Sequence, residues 1–201
     1  KARGGRIYGL SDGREGSRLF YNREANVTGV AHAVDRYLSL SEVLGIARPA
    51  ELEWPLPEGS RPTGLTDGIA PGSYILLHPF SRGAGKSMSA EGAARLCEAL
   101  APHPVVIAGH ADHAVRATGN NTDLLNRTTL PQLVWLLRHA RSVVSVDSGP
   151  MHIAAALQKP LLSIHTWSDP RKVGPYPSDA WVWQNNQILQ VKDLHTSGSK
   201  P

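Results

Sequence analysis

The sequence predicts an α/β fold with a parallel, doubly wound sheet covered on both faces. Beyond Gly72, short apolar runs rich in β-branched residues, such as residues 105–108 and 143–146, alternate with segments that have helical spacing. The runs are predominantly apolar, which is typical of strands buried on both faces of a parallel sheet. Since ligands of such folds bind beyond the carboxyl ends of the strands, we expect function in the loops that follow the runs.

Length and composition fit a globular protein. The chain has 201 residues, enough for one large or two small domains, and 41% of them are hydrophobic. No apolar run approaches the ~20 residues that a membrane-spanning helix needs. The net charge of +4 is typical of an ordinary solvated basic surface, and an anionic ligand or an anionic membrane surface is the alternative. No basic run or aromatic motif typical of nucleic-acid binding is present, so no nucleic-acid partner is expected.

Cysteine usage indicates a reducing compartment. Cys97 is the single cysteine, which excludes an intrachain disulfide and makes the cytoplasm the expected location. It lies beside Leu96 in a predicted helix, where a buried, inert thiol is expected.

Residues 1–48 read as the end of an N-terminal domain. A strand that ends in a turn is predicted at residues 6–13, and residues 14–20 form a short helix or a loop. Apolar positions at helical spacing predict a helix over residues 34–44, and Gly45 ends it in the manner of a C-terminal cap. One strand and one helix are too little for an independent domain.

Residues 49–72 are predicted to be an interdomain linker. They contain five prolines and four glycines, a composition that disfavours any regular element. Trp54 within this stretch is expected to pin the linker to a domain surface.

Residues 73–192 carry the regular pattern and are predicted to form the C-terminal domain, followed by a polar tail at 193–201. A polar loop over 109–119 is expected to run into a short helix. Thr129 and Pro131 open another helix, with proline in its first turn. Strands are predicted at residues 73–77, 105–108, 124–126, 143–146, 161–164 and 181–183, and helices at 90–101, from 129 and from 150.

The segment from Asp147 to His152 is the strongest candidate for a binding site. The strand at 143–146 stops at a carboxylate, and Ser148, Gly149 and Pro150 then open an alanine-rich helix. Such a helix start presents free amides that attract anions, phosphate above all. A purely structural strand-to-helix turn is the alternative, and His152 either hydrogen-bonds phosphate or packs as a neutral histidine.

A second loop, residues 78–87, also suits phosphate because it combines glycines, hydroxyl groups, Arg82 and Lys86 after a strand. Its end, Gly85-Lys86-Ser87, resembles the end of the P-loop of nucleotide triphosphatases. The full P-loop pattern requires glycine at position 80, where this chain has Phe80. An NTPase is therefore a weaker alternative, as is an ordinary surface loop.

Two further loops carry weaker signals. Residues 165–176 predict a fixed irregular loop in which Trp167 or Tyr176 stacks on a sugar or base, or a plain turn. The spacing of His110, Asp112 and His113 suggests metal ligands, but a coincidence in a polar loop explains it better. No nucleophile constellation and no pair of carboxylates placed for hydrolysis is apparent.

These motifs, in this order, resemble those of the ADP-heptose:lipopolysaccharide heptosyltransferases, glycosyltransferase family 9. The resemblance extends from about residue 8 to about residue 190, and its most specific part is the segment from Asp147 to Leu157. The other supporting stretches are residues 20–22, 32–37, 78–87, 129–133, 159–160, 169–170 and 174–176.

The resemblance implies a GT-B fold, in which two Rossmann-like domains hold the donor mainly through the C-terminal one. Family members transfer heptose from an ADP donor to the lipopolysaccharide inner core, with inversion and without a metal. No cofactor is therefore expected besides ADP-heptose as the donor substrate. The expected partners are this donor and a lipopolysaccharide core acceptor, which places the protein in the cytoplasm or at the cytoplasmic face of the inner membrane.

The resemblance also assigns roles by position. Ser81 and Lys86 would hold the diphosphate, and Lys86 would offset the charge on the departing ADP. The amides of Ser148 and Gly149 would complete the phosphate site.

The remaining assigned residues belong to the sugar side of the site. Asp147 would bind the sugar, and Met151 and His152 would line the site. No metal ligand is expected. The family's general base is an aspartate near the start of its N-terminal domain, so the base is expected to lie outside this chain.

This chain departs from the family pattern in two loops. Ser87-Met88-Ser89 stands where most members have Trp-Pro, and His110-Ala111-Asp112 stands where a glutamate usually binds the ribose of the nucleotide. The identity of the donor is open for this reason. A nucleotide-sugar-binding module without catalytic activity is the alternative function.

Overall fold

The computed structural model describes residues 5–83, 85–176 and 179–194. The chain forms two compact units, Lys1–Glu53 and Trp54–Pro201. The division falls inside the predicted linker. Within the described ranges, no helix is both long enough and apolar enough to cross a membrane.

The first unit is a small α/β fragment. Strands β1 (Tyr8–Leu10) and β2 (Arg23–Ala25) pair in parallel, and helix α1 spans Ala33–Val43. A single 3-10 turn, Ser17–Phe20, stands where a short helix or loop was predicted. The strand β2 was not predicted, because its three residues include two charged ones and show no apolar alternation.

The second unit contains a seven-stranded sheet with the order β5-β4-β3-β6-β7-β8-β9. All neighbours pair in parallel except β8 and β9, which form an antiparallel hairpin. The strands are β3 (Ile75–His78), β4 (Val105–Gly109), β5 (Asn121–Leu125), β6 (Ser142–Val146), β7 (Leu161–Ile164), β8 (Trp181–Gln184) and β9 (Gln187–Gln190). The helices are α2 (Ala90–Ala99), α3 (Leu130–His139), α4 (Gly149–Ala156) and α5 (Pro170–Val173).

The sheet has a topological switch point between β3 and β6. The chain runs outward from β3 through β4 to β5, and then returns to the other side of β3 to continue as β6. In open α/β sheets, the crevice beyond the carboxyl ends at such a point is where ligands bind. The fold therefore places the loops after β3 and β6 at this crevice.

Apolar side chains cover both faces of the sheet, as the predominantly apolar strands predict. One core cluster includes Leu76, Val106 and Val143, and the other includes Leu77, Ile107 and Val144. Alternate residues of each strand thus supply opposite faces. Cys97 is buried in the second cluster, where burial raises the pKa of its thiol.

Several predicted elements needed correction. Residues 110–120 contain bends but no helix, so the helix expected after the polar loop is absent from this stretch. Strand β9 and helix α5 were not predicted, because both are four residues long and α5 lies within the predicted irregular loop 165–176. Of the tail predicted at 193–201, Asp193 ends a 3-10 helix and Leu194 is buried, and residues 195–201 lie outside the described ranges.

The segment 54–72 has no helix or strand, as the prediction requires, yet part of it belongs to the core of the second unit. Leu65 and Ile69 are buried in the first core cluster. The guanidinium of Arg138 on α3 donates to the carbonyl oxygens of Leu56 and Pro57, each at 2.9 Å.

Candidate functional site

The parallel pairing of β3, β6 and β7 brings three loops to one edge of the sheet. These strands end at His78, Val146 and Ile164, and they are consecutive neighbours. The residues that follow them are the lysine-bearing loop, the Asp147 segment and the loop that contains Trp167. The sequence predicted this convergence from the fold alone.

Lys86 and Asp147 form an ion pair across two of these loops. The Nζ atom of Lys86 lies 2.7 Å from Oδ2 of Asp147, and the two side chains are 24% and 7% exposed. Burial acts to raise the pKa of Asp147, but hydrogen bonds from Lys86 and Ser168 and the charge of Lys86 outweigh it, so the pKa lies below its ordinary value. Asp147 is therefore an anion at neutral pH, held by a cation.

A buried histidine, His165, is linked to the Asp147 carboxylate through the hydroxyl of Ser168. The hydroxyl of Ser168, which bonds to Asp147, also lies 2.9 Å from Nδ1 of His165. His165 is fully buried, and burial lowers its pKa, so the ring is neutral at pH 7. If the hydroxyl donates to Asp147, it accepts from the Nδ1–H group, which fixes the tautomer of His165. The contact from His165 through Ser168 to Asp147 was not predicted, because a serine within a loop carries no local signal of it.

The start of α4 presents backbone amides to the crevice. Ser148 is the N-cap residue, but its side chain makes no capping hydrogen bond. Instead, its hydroxyl donates to the carbonyl oxygen of Val146 at 3.0 Å and lies 3.2 Å from Nδ1 of His78. The positive end of this eight-residue helix is thus left for an anion.

His78 is a buried neighbour of Ser148 at the start of α4. Burial lowers its pKa to about 4, so the ring is neutral at pH 7. A Cβ atom at Gly109 would come within 2.8 Å of its Nε2 atom, which explains why the end of β4 needs glycine. From the sequence, His78 was predicted only to start a loop. Its buried contacts were not predictable, because they depend on the pairing of the strands.

A cavity of about 790 Å³ lies beside the ion pair. Its volume is within the range of roughly 300–1,000 Å³ that is typical of small-molecule sites. Its walls come from the loops after β3 and β4 and from the start of α4. The lining residues are His78 and residues 80–82, 87–90, 110–113 and 148–150.

Most of the predicted donor-binding residues lie around this crevice. Ser81, Ser148 and Gly149 line the cavity, and Lys86 and Asp147 form the adjacent ion pair. His152 is exposed in the first turn of α4.

Met151 requires a correction. It was expected to line the site, but it is fully buried in the first core cluster, beneath the helix start. Its side chain therefore supports the site through packing and does not face the cavity.

The lysine-bearing loop differs from a P-loop in structure as well as in sequence. The side chain of Phe80 is buried in the second core cluster. Helix α2 begins at Ala90, and its N-cap Ser89 accepts from the amide of Gly92 at 3.0 Å. Lys86 therefore precedes the helix by several residues, whereas the P-loop motif leads its lysine directly into the helix.

The loop after β7 is built around a short helix. Asp169 is the N-cap of α5, and its carboxylate accepts from the backbone amide and the guanidinium of Arg171. Arg171 is the largest cause of the lowered pKa of Asp169. Trp167 is 64% exposed beside the lysine-bearing loop.

The polar loop after β4 contributes a cavity wall. His110 and Asp112 were considered as metal ligands, but within the described ranges no group of three or more histidine, cysteine or acidic residues is arranged to hold a metal ion. Both residues line the cavity together with His113.

Comparison with known proteins identifies the family. The model of glycosyltransferase family 9 (heptosyltransferase) matches residues 2–199. The lipopolysaccharide core heptosyltransferase OpsX of Haemophilus influenzae is 26% identical over 182 residues, which cover 84% of this chain and 52% of OpsX. The chain thus spans about half the length of the curated relatives it matches.

Solved structures agree in fold. The Escherichia coli heptosyltransferase WaaC with ADP superimposes with a TM-score of 0.69 at 23% identity, covering 94% of this chain and 63% of WaaC. WaaC with ADP-2-deoxy-2-fluoro heptose gives 0.67 at 24% identity, covering 89% and 58%. The α/β fold is that of the GT-B heptosyltransferases. Because the family model matches nearly the whole chain, this protein belongs to glycosyltransferase family 9, the heptosyltransferase family.

Proposed function

We propose that this chain forms the donor-binding part of a glycosyltransferase that moves heptose from ADP-heptose to the lipopolysaccharide core. Its family membership and its lipopolysaccharide heptosyltransferase relatives support the proposal. The observation that carries it is the Lys86–Asp147 pair beside the open start of α4. A cation, a carboxylate and free amides at one switch point match the phosphates and hydroxyl groups of a sugar nucleotide.

The phosphate side of the donor would be bound by Lys86, Ser81 and the amides of Ser148 and Gly149. When the bond between the anomeric carbon and the diphosphate breaks, negative charge develops on the departing ADP. Fixed positive charge near that oxygen stabilises the transition state more than the ground state. Since Lys86 and the helix start supply that charge, we expect transfer to proceed without a divalent metal.

The sugar side of the donor would be bound by Asp147. Its pKa is lowered, so at neutral pH it is an ionised group that only accepts hydrogen bonds. Sugar hydroxyl groups are suitable donors to it. Because Lys86 and Ser168 already bind this carboxylate, it is a poor base for the acceptor hydroxyl, whose proton would pass to a group outside this site.

The nucleoside would occupy the cavity next to the phosphates. The loop after β4 brings His110, Asp112 and His113 to the cavity wall. Asp112, on this wall, would accept hydrogen bonds from ribose hydroxyl groups.

Titration calorimetry of the 201-residue chain tests the donor site. We expect ADP to bind equally well with magnesium and with EDTA, and more tightly than UDP, and we expect Lys86→Ala to weaken ADP binding strongly. Lys192→Ala is the matched control, because this exposed lysine follows β9 at the opposite edge of the sheet. Tight binding of ATP only in the presence of magnesium would instead favour the NTPase alternative.

The catalytic part of the proposal needs a transfer assay. The longest gene product that contains this chain should transfer heptose from ADP-heptose to a lipopolysaccharide core acceptor in the presence of EDTA. A folded protein that binds the donor but gives no transfer would favour the non-catalytic module.

A further inference from the structure

Lys86 has a second contact that the donor site does not require. Its Nζ atom lies 5.2 Å from the centre of the Trp167 ring, within the range of a cation–π interaction. The ammonium group is therefore held between the Asp147 carboxylate and an aromatic face.

Thr166, the neighbour of Trp167, fixes the backbone next to the lysine. Its hydroxyl donates to the carbonyl oxygen of Gly85 at 2.5 Å. Gly85 has φ of +75°, in the left-handed region that favours glycine. The hydrogen bond thus acts on the residue whose conformation directs Lys86 towards the crevice.

The aromatic ring also lies beside the same turn. A Cβ atom added to Gly85 would lie 3.5 Å from Cδ1 of Trp167, which is an ordinary van der Waals contact. A Cβ atom added to Gly83 would come within 3.0 Å of Cδ of Lys86. The lysine stem therefore passes close to Gly83, and the indole lies near its ammonium group.

We propose that Thr166 and Trp167 are positioning residues that hold Lys86 in place for the donor diphosphate. This inference rests on the donor site proposed above. A free lysine side chain loses rotamer entropy when it is fixed. Contacts that fix it before the ligand arrives reduce the cost of binding. The exposed Trp167 thus acts on the ligand through Lys86 and not as a stacking surface.

Because Trp167 and Thr166 act on ADP through Lys86, substituting either residue should change ADP affinity. Trp167→Ala should weaken ADP binding about 3- to 10-fold, the range expected for a partly exposed cation–π contact. Trp167→Phe, which keeps an aromatic face, should recover most of the loss. Thr166→Ala should weaken binding by a similar factor, and Thr166→Ser should not, because the hydroxyl is retained.

A double-mutant cycle by calorimetry on the full 201-residue chain separates positioning from direct contact. With Lys86→Met, which leaves residual phosphate contacts, ADP affinity should be weak, and adding Trp167→Ala should change it less than twofold. An equal loss in both backgrounds would show that Trp167 contacts the nucleotide itself, and would overturn the inference. Trp181→Ala, at a 46% exposed tryptophan that starts β8 at the opposite edge, is the matched control and should bind ADP normally.

A ligand-free measurement keeps the inference separate from the proposed function. In the NMR spectrum of the wild-type chain, the ε-methylene protons of Lys86 should be shifted upfield by the indole ring current, and Trp167→Ala should remove the shift. Unshifted protons in the wild type would overturn the inference whether or not ADP binds. If the shift is present and the wild type still fails to bind ADP, the proposed donor site is wrong and its positioning role falls with it.

Discussion

Asp147 and Lys86 are unequal partners in their ion pair. The side chain of Asp147 is almost completely buried, whereas the side chain of Lys86 keeps about a quarter of its surface in water. Removing the partner of a buried charge costs more than removing the partner of a charge that solvent can reach. The two single substitutions are therefore expected to differ.

Lys86→Met should lower the free energy of unfolding by about 1–3 kcal/mol, because it leaves a buried carboxylate that Ser168 alone supports. Asp147→Asn should lower the free energy of unfolding by less, because Lys86 is able to turn towards solvent. Urea unfolding at pH 7 measures both values. The double variant should be more stable than the sum of the two single losses predicts, and simple additivity would mean that the pair contributes no coupling.

His78 makes stability depend on pH between about 4 and 6.5. Its pKa in the folded protein is about 4, below the value of about 6.5 expected in the unfolded chain. The unfolded state therefore binds more protons in this window, and stability falls as the pH falls. Burial of His165 acts in the same direction.

Between pH 7 and pH 5, His78 should account for up to about 2 kcal/mol of lost unfolding free energy. His78→Asn removes the titrating group and should flatten this part of the profile. His103→Asn is a control, because His103 is exposed. A His78→Asn profile as steep as that of the wild type would contradict the assignment.

The elements of the sheet were largely predictable from sequence, since β3, β4, β6 and β7 are predominantly apolar. The cap of α3 was also predictable: Thr129 and Gln132 form the reciprocal capping box. Short elements were not predictable, because β2 contains two charged residues and β9 is defined only by its pairing with β8. At the site, sequence motifs located Lys86 and the Asp147 segment, but the burial of Met151 depends on how α4 packs.

At the level of elements, segment 54–72 docks on helix α3 through a close backbone contact. Gly59 has φ of +79°, and a Cβ atom there would lie 2.3 Å from the carbonyl oxygen of Pro131 and 2.7 Å from the amide nitrogen of Trp135. Gly72 has nearly the same φ, +80°, with nothing within 4 Å of its ideal Cβ position. The two glycines therefore differ in contact but not in backbone conformation.

Gly72→Ala should lower the free energy of unfolding by about 1 kcal/mol, the penalty of a left-handed conformation alone. Gly59→Ala should lower it by about 1–3 kcal/mol more, because the added methyl group overlaps the backbone of α3. Thermal and urea unfolding of the two variants give the difference directly. Equal losses would mean that the segment does not dock on α3 as described.

At the level of the whole molecule, the sheet topology decides where function is expected. The switch point between β3 and β6 directs three loops to one edge, and the 790 Å³ cavity opens at that edge. A second cavity, of about 580 Å³, lies at the amino ends of β6, β7 and β8 and is lined by Lys159, Trp181 and Ile188. Only the first cavity adjoins the ion pair and the start of α4.

Amide chemical-shift mapping of the ¹⁵N-labelled chain during titration with ADP tests the donor site most directly. We expect the largest changes at the amides of Ser81, Lys86, Ser148 and Gly149, with smaller changes at residues 110–113, and no change at Lys159 or Trp181. Lys86→Ala should suppress the changes at the start of α4. Shifts concentrated around Lys159 and Trp181, or no shifts at millimolar ADP, would contradict the assignment of the switch-point crevice as the donor site.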